Sequence, residues 1–235
     1  MLSGKRVVAM IPARAGSKSV PKKNLVRVGN NTLVGHAINQ AKATRAIDRV
    51  IVSTDGKQIA AEARRWSAEV YERPTELASD TSLVIDTVRQ LCKQLRSEGE
   101  TAEYMVLLEP TTPLRRAEDI AACLELLDRE VADSVATFKE ADLNPHRAWR
   151  LDTGNPAPFI DGAMPWSPRQ NLPKSYQLTG AVYAFSINAL PQNATGLLFG
   201  EARSVLVDKN RSIDIDDVVD LMVARELHKN LVVNS

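Results

Sequence analysis

Apolar and polar positions along this chain alternate in blocks. Short apolar or period-two runs at 7–11, 49–53, 69–72, 104–108 and 134–138, and later at 181–185 and 204–207, read as strands. Between them, apolar residues recur at helical spacing over 33–43, 57–66, 85–96, 117–129 and 217–229. In the last of these, Val219, Met222, Val223 and Leu227 share one face at i, i+3, i+4 and i+8. Strands that alternate with helices predict an α/β fold with a mainly parallel sheet flanked by helices. Neither an internal repeat nor a low-complexity tract interrupts the pattern.

One stretch breaks the alternation. Residues 144–173 carry Pro145, Pro156, Pro158, Pro165, Pro168 and Pro173, with Trp149, Phe159, Met164 and Trp166 among them. That is too apolar for a disordered linker and too rich in proline for a core element. It reads as an excursion from the sheet that packs on something, or as a loop folded over its own core.

Composition narrows the classes. At 235 residues the chain is one sizeable domain, and 44% apolar with 25% charged residues is ordinary for a soluble globular protein. A net charge of +1 implies no general attraction to nucleic acid or membrane. Cys92 and Cys123 fall in predicted helices without metal-like spacing, which predicts reduced core thiols. The expected location is cytoplasmic, since no leader-like apolar segment and no membrane-length apolar run occurs.

The candidate chemistry begins at the end of the first strand, where a loop of small residues, Ala13, Ala15, Gly16 and Ser17, carries Arg14, Lys18, Lys22 and Lys23. Small side chains let backbone N–H groups approach a ligand, and cations at a strand end suit a polyphosphate. The spacing is neither that of a P-loop nor G-x-G-x-x-G. Further on, Asp55 closes the second strand, where it is expected to cap the next helix. Near the C-terminus, Ser212-Ile213-Asp214-Ile215-Asp216 alternates, so a strand would place Asp214 and Asp216 on one face. Two carboxylates on one face repel unless a cation or proton sits between them; Mg²⁺ takes such oxygen ligands. Capping of the last helix by Asp216 or Asp217 is the competing use.

The string from Ile11 to Asn24 resembles the phosphate-binding signature of the acylneuraminate cytidylyltransferases, which activate sialic-type (nonulosonic) 2-keto acids with CTP. Val50–Asp55, the stretch Arg73-Pro74-Thr75-Glu76-Leu77-Ala78-Ser79-Asp80-Thr81, the stretch Leu107–Arg115, Gly180-Ala181-Val182-Tyr183 and Asp214-Ile215-Asp216 resemble further motifs of that family. The resemblance implies a Rossmann-like nucleotidyltransferase sheet over 1–235, with a small dimerisation insertion at about 144–175 and a homodimer. It implies that Arg14, Lys18 and Lys23 neutralise phosphates, and that Ala13, Ser17 and Asn24 belong to the nucleotide site. Arg73 and the backbone around Thr81 and Ser82 are implied to meet the cytidine base. Arg147, the Arg169–Gln170 pair, Tyr183 and Phe199 are implied on the sugar side, and Asp214 and Asp216 as ligands of Mg²⁺. Phe199 could equally be ordinary core packing.

One departure stands out. Glu109 occupies a place where the sialic acid enzymes usually carry Gln. An amide donates and accepts, whereas an ionised carboxylate only accepts. Three states are open for Glu109: accepting from an amine or extra hydroxyl of a different nonulosonate, being protonated, or pairing with an Arg. A same-fold enzyme for Kdo-like acids, or a catalytically silent nucleotide-binding protein, are the alternative functions.

Overall fold

The computed structural model describes residues 2–17, 19–77, 82–129 and 132–233. The strands of the main sheet are β1 (Val7–Pro12), β4 (Arg49–Thr54), β5 (Glu69–Glu72), β6 (Tyr104–Leu107), β7 (Ser134–Glu140), β10 (Tyr176–Ser186) and β11 (Ala202–Leu206). Two small hairpins supply β2 (Arg27–Val28) with β3 (Asn31–Thr32), and β8 (Trp149–Asp152) with β9 (Asn155–Pro158). The sheet order is β11-β7-β10-β6-β1-β4-β5. Every neighbour pair is parallel except those made by β10, which runs antiparallel to both β6 and β7.

Alternation along β1 assigns its faces. Val7, Ala9 and Ile11 point to a core shared with helices α1 (Leu33–Ala43), α2 (Lys57–Arg65) and α4 (Ala117–Arg129). Val8 and Met10 point the other way, onto Ile85, Val88, Leu91 and Leu95 of α3 (Val84–Ser97). With helices on both faces, β1 reads as a continuous apolar run. Cys92 and Cys123 are buried, unpaired thiols within these layers. Helix α1 starts where the Thr32 hydroxyl accepts from the Gly35 amide at 3.1 Å.

Helix α5 (Val218–Val233) closes a third, smaller core. Leu221 and Ala224 are buried there with Val20, Val28, Leu33 and Ile215. The apolar stripe expected along this helix is thereby corrected: Val219, Met222 and Val223 are exposed, and only Leu227 of the four packs on the body. Asp217, not Asp216, caps α5, its carboxylate accepting from the amides of Val219 and Asp220. No helix among the described residues is long and apolar enough to cross a membrane.

The proline-rich excursion forms the β8–β9 hairpin and a following loop. Its apolar side chains are mostly bare: Leu151, Phe159 and Met164 are exposed, and Trp166 is 84% exposed. Trp149 and Trp166 pack against one another at 5.7 Å between ring centroids. Folding back over its own core is thus not what this segment does with its large side chains.

Candidate active site

The basic loop leaves the C-terminal end of β1, between the parallel neighbours β4 and β6. This is a place where an open α/β sheet leaves a crevice. Three bonds hold the loop open. Ala13 donates its amide to Ser53 O at 2.9 Å, the Ala15 amide reaches Asp55 Oδ1 at 2.7 Å, and Asn24 Nδ2 reaches Arg14 O at 2.9 Å. Asp55 therefore does not cap α2, whose N-cap is Gly56; it pins the phosphate-type loop instead.

Segment 212–216 closes the site from the C-terminal side. It forms no strand and pairs with none among the described residues, which corrects the expected strand there. The alternation survives because Ile215 is fully buried beneath it. Its placement comes from cross-links: the Ile215 amide donates to Thr111 O at 2.9 Å and Lys23 Nζ donates to Ile215 O at 2.9 Å. Ser19 Oγ donates to Asp216 O, and Lys23 Nζ lies 3.4 Å from Asp216 Oδ1. Residues nearly 200 positions apart in sequence thus meet, with |i−j| of 193 for Lys23 and Asp216.

Between these parts lies a cleft of about 480 Å³. Pro12, Arg14, Gly16, Ser17, Lys23 and Asn24 line it from the β1 side; Arg73, Leu77, Ser82, Val84 and Thr87 from the α3 side. Glu109, Pro110, Thr111 and Asp216 complete the wall. The lining carries both signs, the cations Arg14, Lys23 and Arg73 and the carboxylates Glu109 and Asp216, with Lys23 meeting Asp216 directly. Arg73 is half-buried, held by Ser53 through Nε to Oγ at 3.2 Å and Nη2 to the backbone carbonyl at 3.1 Å. Burial lowers its pKa from the usual arginine value.

Glu109 stands at the end of β6. Burial, and then the Asp214 and Asp216 carboxylates, push its pKa up to about 7, against the opposing pull of Arg115 and Lys23. Burial likewise raises Asp214, which a hydrogen bond with the Thr111 side chain partly offsets. Asp214 Oδ1 is buried without a hydrogen-bond partner, while the Asp216 side chain is 81% exposed. Tyr183, on β10 opposite Leu107, is half-buried, and burial together with the Glu109 and Asp214 charges raises its pKa.

Arg115, to which the sequence reading gave no role, organises this end. It is 2% exposed. Its Nη1 donates to Thr112 Oγ1 at 3.1 Å and to the Ala181 carbonyl, and its Nη2 to the Glu109 carbonyl at 3.0 Å. Pairing of the Glu109 carboxylate with an Arg, one of its three open states, is therefore not how Arg115 is used. Its place after Thr112-Pro113-Leu114 and before α4 carried no signal of burial in the sequence.

The remaining expected site residues fall into three groups. Lys18 and Thr81 lie outside the described residues. Arg147, Arg169 and Gln170 sit on the excursion and line no part of the cleft; Arg147 Nε donates to Pro165 O at 3.3 Å, and Arg169 pairs with Glu140 at 3.7 Å. Phe199 lines no part of this protomer's cleft: its backbone amide donates to Ser134 Oγ at 2.8 Å, at the start of β7, and its ring lies 5.9 Å from Phe185.

A sheet crevice with a cation-lined loop and facing carboxylates defines a nucleotidyltransferase-type site. The sequence matches the family model for cytidylyltransferases over residues 8–185. It is 32% identical over 227 residues to the CMP-N,N'-diacetyllegionaminic acid synthase of Legionella pneumophila, covering 94% of this chain and 96% of that one. It is 26% identical over 224 residues to the pseudaminic acid cytidylyltransferase of Campylobacter jejuni, covering 94% and 96%. Among solved structures, a CMP:2-keto-3-deoxy-manno-octonic acid synthetase complexed with CTP shares the fold, with a TM-score of 0.68 at 16% identity over 97% of this chain and 100% of that one. The chain belongs to the cytidylyltransferase family, in its acylneuraminate group.

Proposed function

We propose that this enzyme activates a sialic-type nonulosonic acid with CTP, giving the CMP-sugar and pyrophosphate. The observation that carries the reading is one cleft lined by Arg14, Lys23 and Arg73 together with Glu109 and Asp216, in a chain of this family. The sugar's anomeric hydroxyl oxygen bonds to the α-phosphorus as the bond to the β-phosphate oxygen breaks. Such a transfer needs positioning and charge stabilisation more than covalent help from the protein.

Arg14, Lys18 and Lys23 take the role of neutralising the triphosphate and departing pyrophosphate, with Ser17 offering a backbone donor and Ala13, its own amide held by Ser53 O, seating the loop that forms the nucleotide site. Asn24 fixes the loop and faces the ribose or triphosphate. Arg73, Thr81 and Ser82 take the base. The donor set at 214–216 fits a hard divalent cation: two carboxylates, one with a buried oxygen that lacks a partner. In this reading Asp214 and Asp216 hold Mg²⁺, which when bound neutralises charge at the α-phosphate.

The excursion at 144–175 is read as a dimerisation element. Its bare Leu151, Phe159, Met164 and Trp166 support a second copy as the covering surface. A homodimer of this kind would also give Arg147, Arg169 and Gln170 a substrate carboxylate to meet. A cytoplasmic setting, where CTP is available, belongs to the same reading.

The test is pyrophosphate release with CTP and Mg²⁺ against N-acetylneuraminic, legionaminic, pseudaminic and Kdo acids. Release with a sialic-type acid, lost with ATP or without metal, is expected. Release with Kdo alone, or CTP binding without release on any acid, would overturn the reading.

A further inference from the structure

Strand β4 ends in the corner Ser53-Thr54-Asp55-Gly56, and this corner holds two separate parts of the cleft wall. Ser53 is fully buried, and its carbonyl accepts from the Ala13 amide at 2.9 Å and from Arg73 Nη2 at 3.1 Å. The Ser53 hydroxyl accepts from Arg73 Nε at 3.2 Å, and the Thr54 carbonyl from the Arg73 amide at 2.9 Å. Register explains why both parts arrive here. Pro12 of β1 lies opposite Ser53 and Glu72 of β5 opposite Thr54, so the next amide of each flanking strand falls on the corner.

Asp55 adds a contact that the ladder does not supply. Its Oδ1 accepts the Ala15 amide at 2.7 Å, the short length of a charge-assisted bond. Gly56 lets the corner and the loop come this close, since a Cβ there would stand 3.1 Å from the Ala15 Cβ. The amides of Ala13 and Ala15 are thus spent on the corner, and Gly16 and Ser17, next along, are the residues that line the cleft. The same carboxylate acts on Arg73. Burial is the main influence on that guanidinium, followed by the Asp55 charge, which favours its charged form, and by Arg14, which opposes it. One exposed carboxylate therefore holds the loop and offsets the repulsion between two guanidiniums of the lining. The fold has little use for it otherwise, because α2 takes Gly56 as its N-cap and the bonds of Ser53 and Thr54 stand without it.

We propose that Asp55 is a positioning residue for the nucleotide: it sets the loop after β1 at the separation from Arg73 that a nucleoside triphosphate spans, and so favours the triphosphate over the monophosphate. The assignment rests on the activity proposed above and deepens it to how the nucleotide is seated.

The experiment measures calorimetric binding of CTP and of CMP to the wild type, Asp55→Ala and Asp55→Asn, together with steady-state kinetics on the panel of sugar acids. CMP keeps the base, the ribose and one phosphate and lacks the outer two. Plain electrostatics and positioning predict opposite signs. Removing a negative charge would by itself tighten a triphosphate, whereas releasing the loop weakens it. Asp55→Ala is expected to weaken CTP by about tenfold and CMP by less than about twofold, the scale of a misplaced binding group. KM for CTP should rise with it while KM for the acid, at saturating CTP, stays put. Asp55→Asn keeps an oxygen for the Ala15 amide and should return the CTP-to-CMP ratio of affinities to within about threefold of wild type. A ratio that moves by less than about twofold in Asp55→Ala, that moves in favour of CTP, or that falls equally in Asp55→Asn overturns the role. An unmoved ratio in a protein that turns over a sugar acid removes Asp55 and leaves the activity standing. The expected ratio in a protein that turns over no acid keeps Asp55 and removes the activity. A wild type that binds no CTP overturns both.

Discussion

Replacing Arg115 by Met is the most demanding test of how the end of β6 is held. The guanidinium is 2% exposed and bonds three acceptors from three places: the Glu109 carbonyl, Thr112 Oγ1 and the Ala181 carbonyl. Hydrogen bonds from a charged donor are worth about 1.5–3 kcal/mol each, and a buried carbonyl left orphaned costs about 1–3 kcal/mol. The losses are unequal. Glu109 O keeps the Thr112 hydroxyl at 3.0 Å, whereas Ala181 O lies at the register shift of β10, where no partner strand takes it up. On the other side, burial lowers the Arg115 pKa to about 10, a sign that the cation is held at a desolvation cost that Met would relieve. Setting these against one another leaves a net destabilisation of about 2–4 kcal/mol. For a chain of this size that is a fall in Tm of roughly 5–15 °C. Differential scanning calorimetry measures it, and steady-state kinetics should place the activity loss in KM for the sugar acid. Arg115→Lys should not rescue, because an ammonium on a shorter reach cannot span three acceptors. A Tm within about 2 °C of wild type, with unchanged kinetics, would refute the claim that these bonds hold the end of β6 against β10.

Other outcomes follow from the same geometry. Gly180→Ala places a Cβ 2.8 Å from Glu109 Oε2 at φ of +70°, so it should lose about 1–2 kcal/mol in urea unfolding and weaken sugar-acid binding before CTP binding. Asp216→Asn should abolish Mg²⁺-dependent turnover with an unchanged Tm, since its side chain is 81% exposed; near-normal turnover across a Mg²⁺ titration would sink the metal assignment. Glu100, held down to about 2 by Arg6 and then Arg49, has a folded pKa below its ordinary 4.5, so its stabilisation is present above about 4.5 and fades as pH falls toward 2. Glu100→Gln should therefore lower stability at pH 7 by about 1 kcal/mol, solvent screening the partly exposed Arg6 partner, and flatten the acid limb of the pH–stability curve; an unaltered limb would contradict the ion-pair account. If the excursion seats a second copy as proposed, the wild type sediments as a dimer and Trp166→Asp as a monomer with CTP binding retained; a monomeric wild type or a persistent variant dimer would remove the excursion from that role.

The layers of the fold were legible because their signals are local. The run Val7-Val8-Ala9-Met10-Ile11 marks a strand covered on both faces, and α1 and α4 have the bounds their periodicity predicts. Glu69–Glu72 is a strand as read, with Tyr71 as its buried residue. What escaped were features decided by distant partners. The expected apolar face of α5 turned outward because the small third core takes Leu221 and Ala224 instead, and helical spacing alone cannot say which of two apolar stripes is covered. Asp55 looks like a cap from its neighbours, yet its carboxylate is claimed by the Ala15 amide forty positions earlier. Segment 212–216 alternates like a strand without one to pair with, because Lys23, Ser19 and Thr111 satisfy its backbone. The β8–β9 hairpin was hidden by its prolines, which are tolerated because it is two-stranded and all edge. Arg115 was in view, but nothing in a sequence distinguishes a surface arginine before a helix from one that three carbonyl and hydroxyl oxygens draw inside.

The polarity of the cleft also constrains where a sugar acid's own carboxylate can go. Beside Glu109 it would meet a carboxylate that lines the cleft and draws no hydrogen bond from a cation among the described residues. The cations that line the cleft are Arg14, Lys23 and Arg73, of which Lys23 already meets Asp216, and a triphosphate brings more negative charge than these three neutralise. An arginine fork from elsewhere is therefore the economical solution, and in this chain the candidates Arg147 and Arg169 stand on the excursion whose tryptophans and leucine are bare. On the proposed reading, assembly and substrate recognition are one device: the apolar residues that seat the excursion on a second copy also decide whether the carboxylate finds its cation.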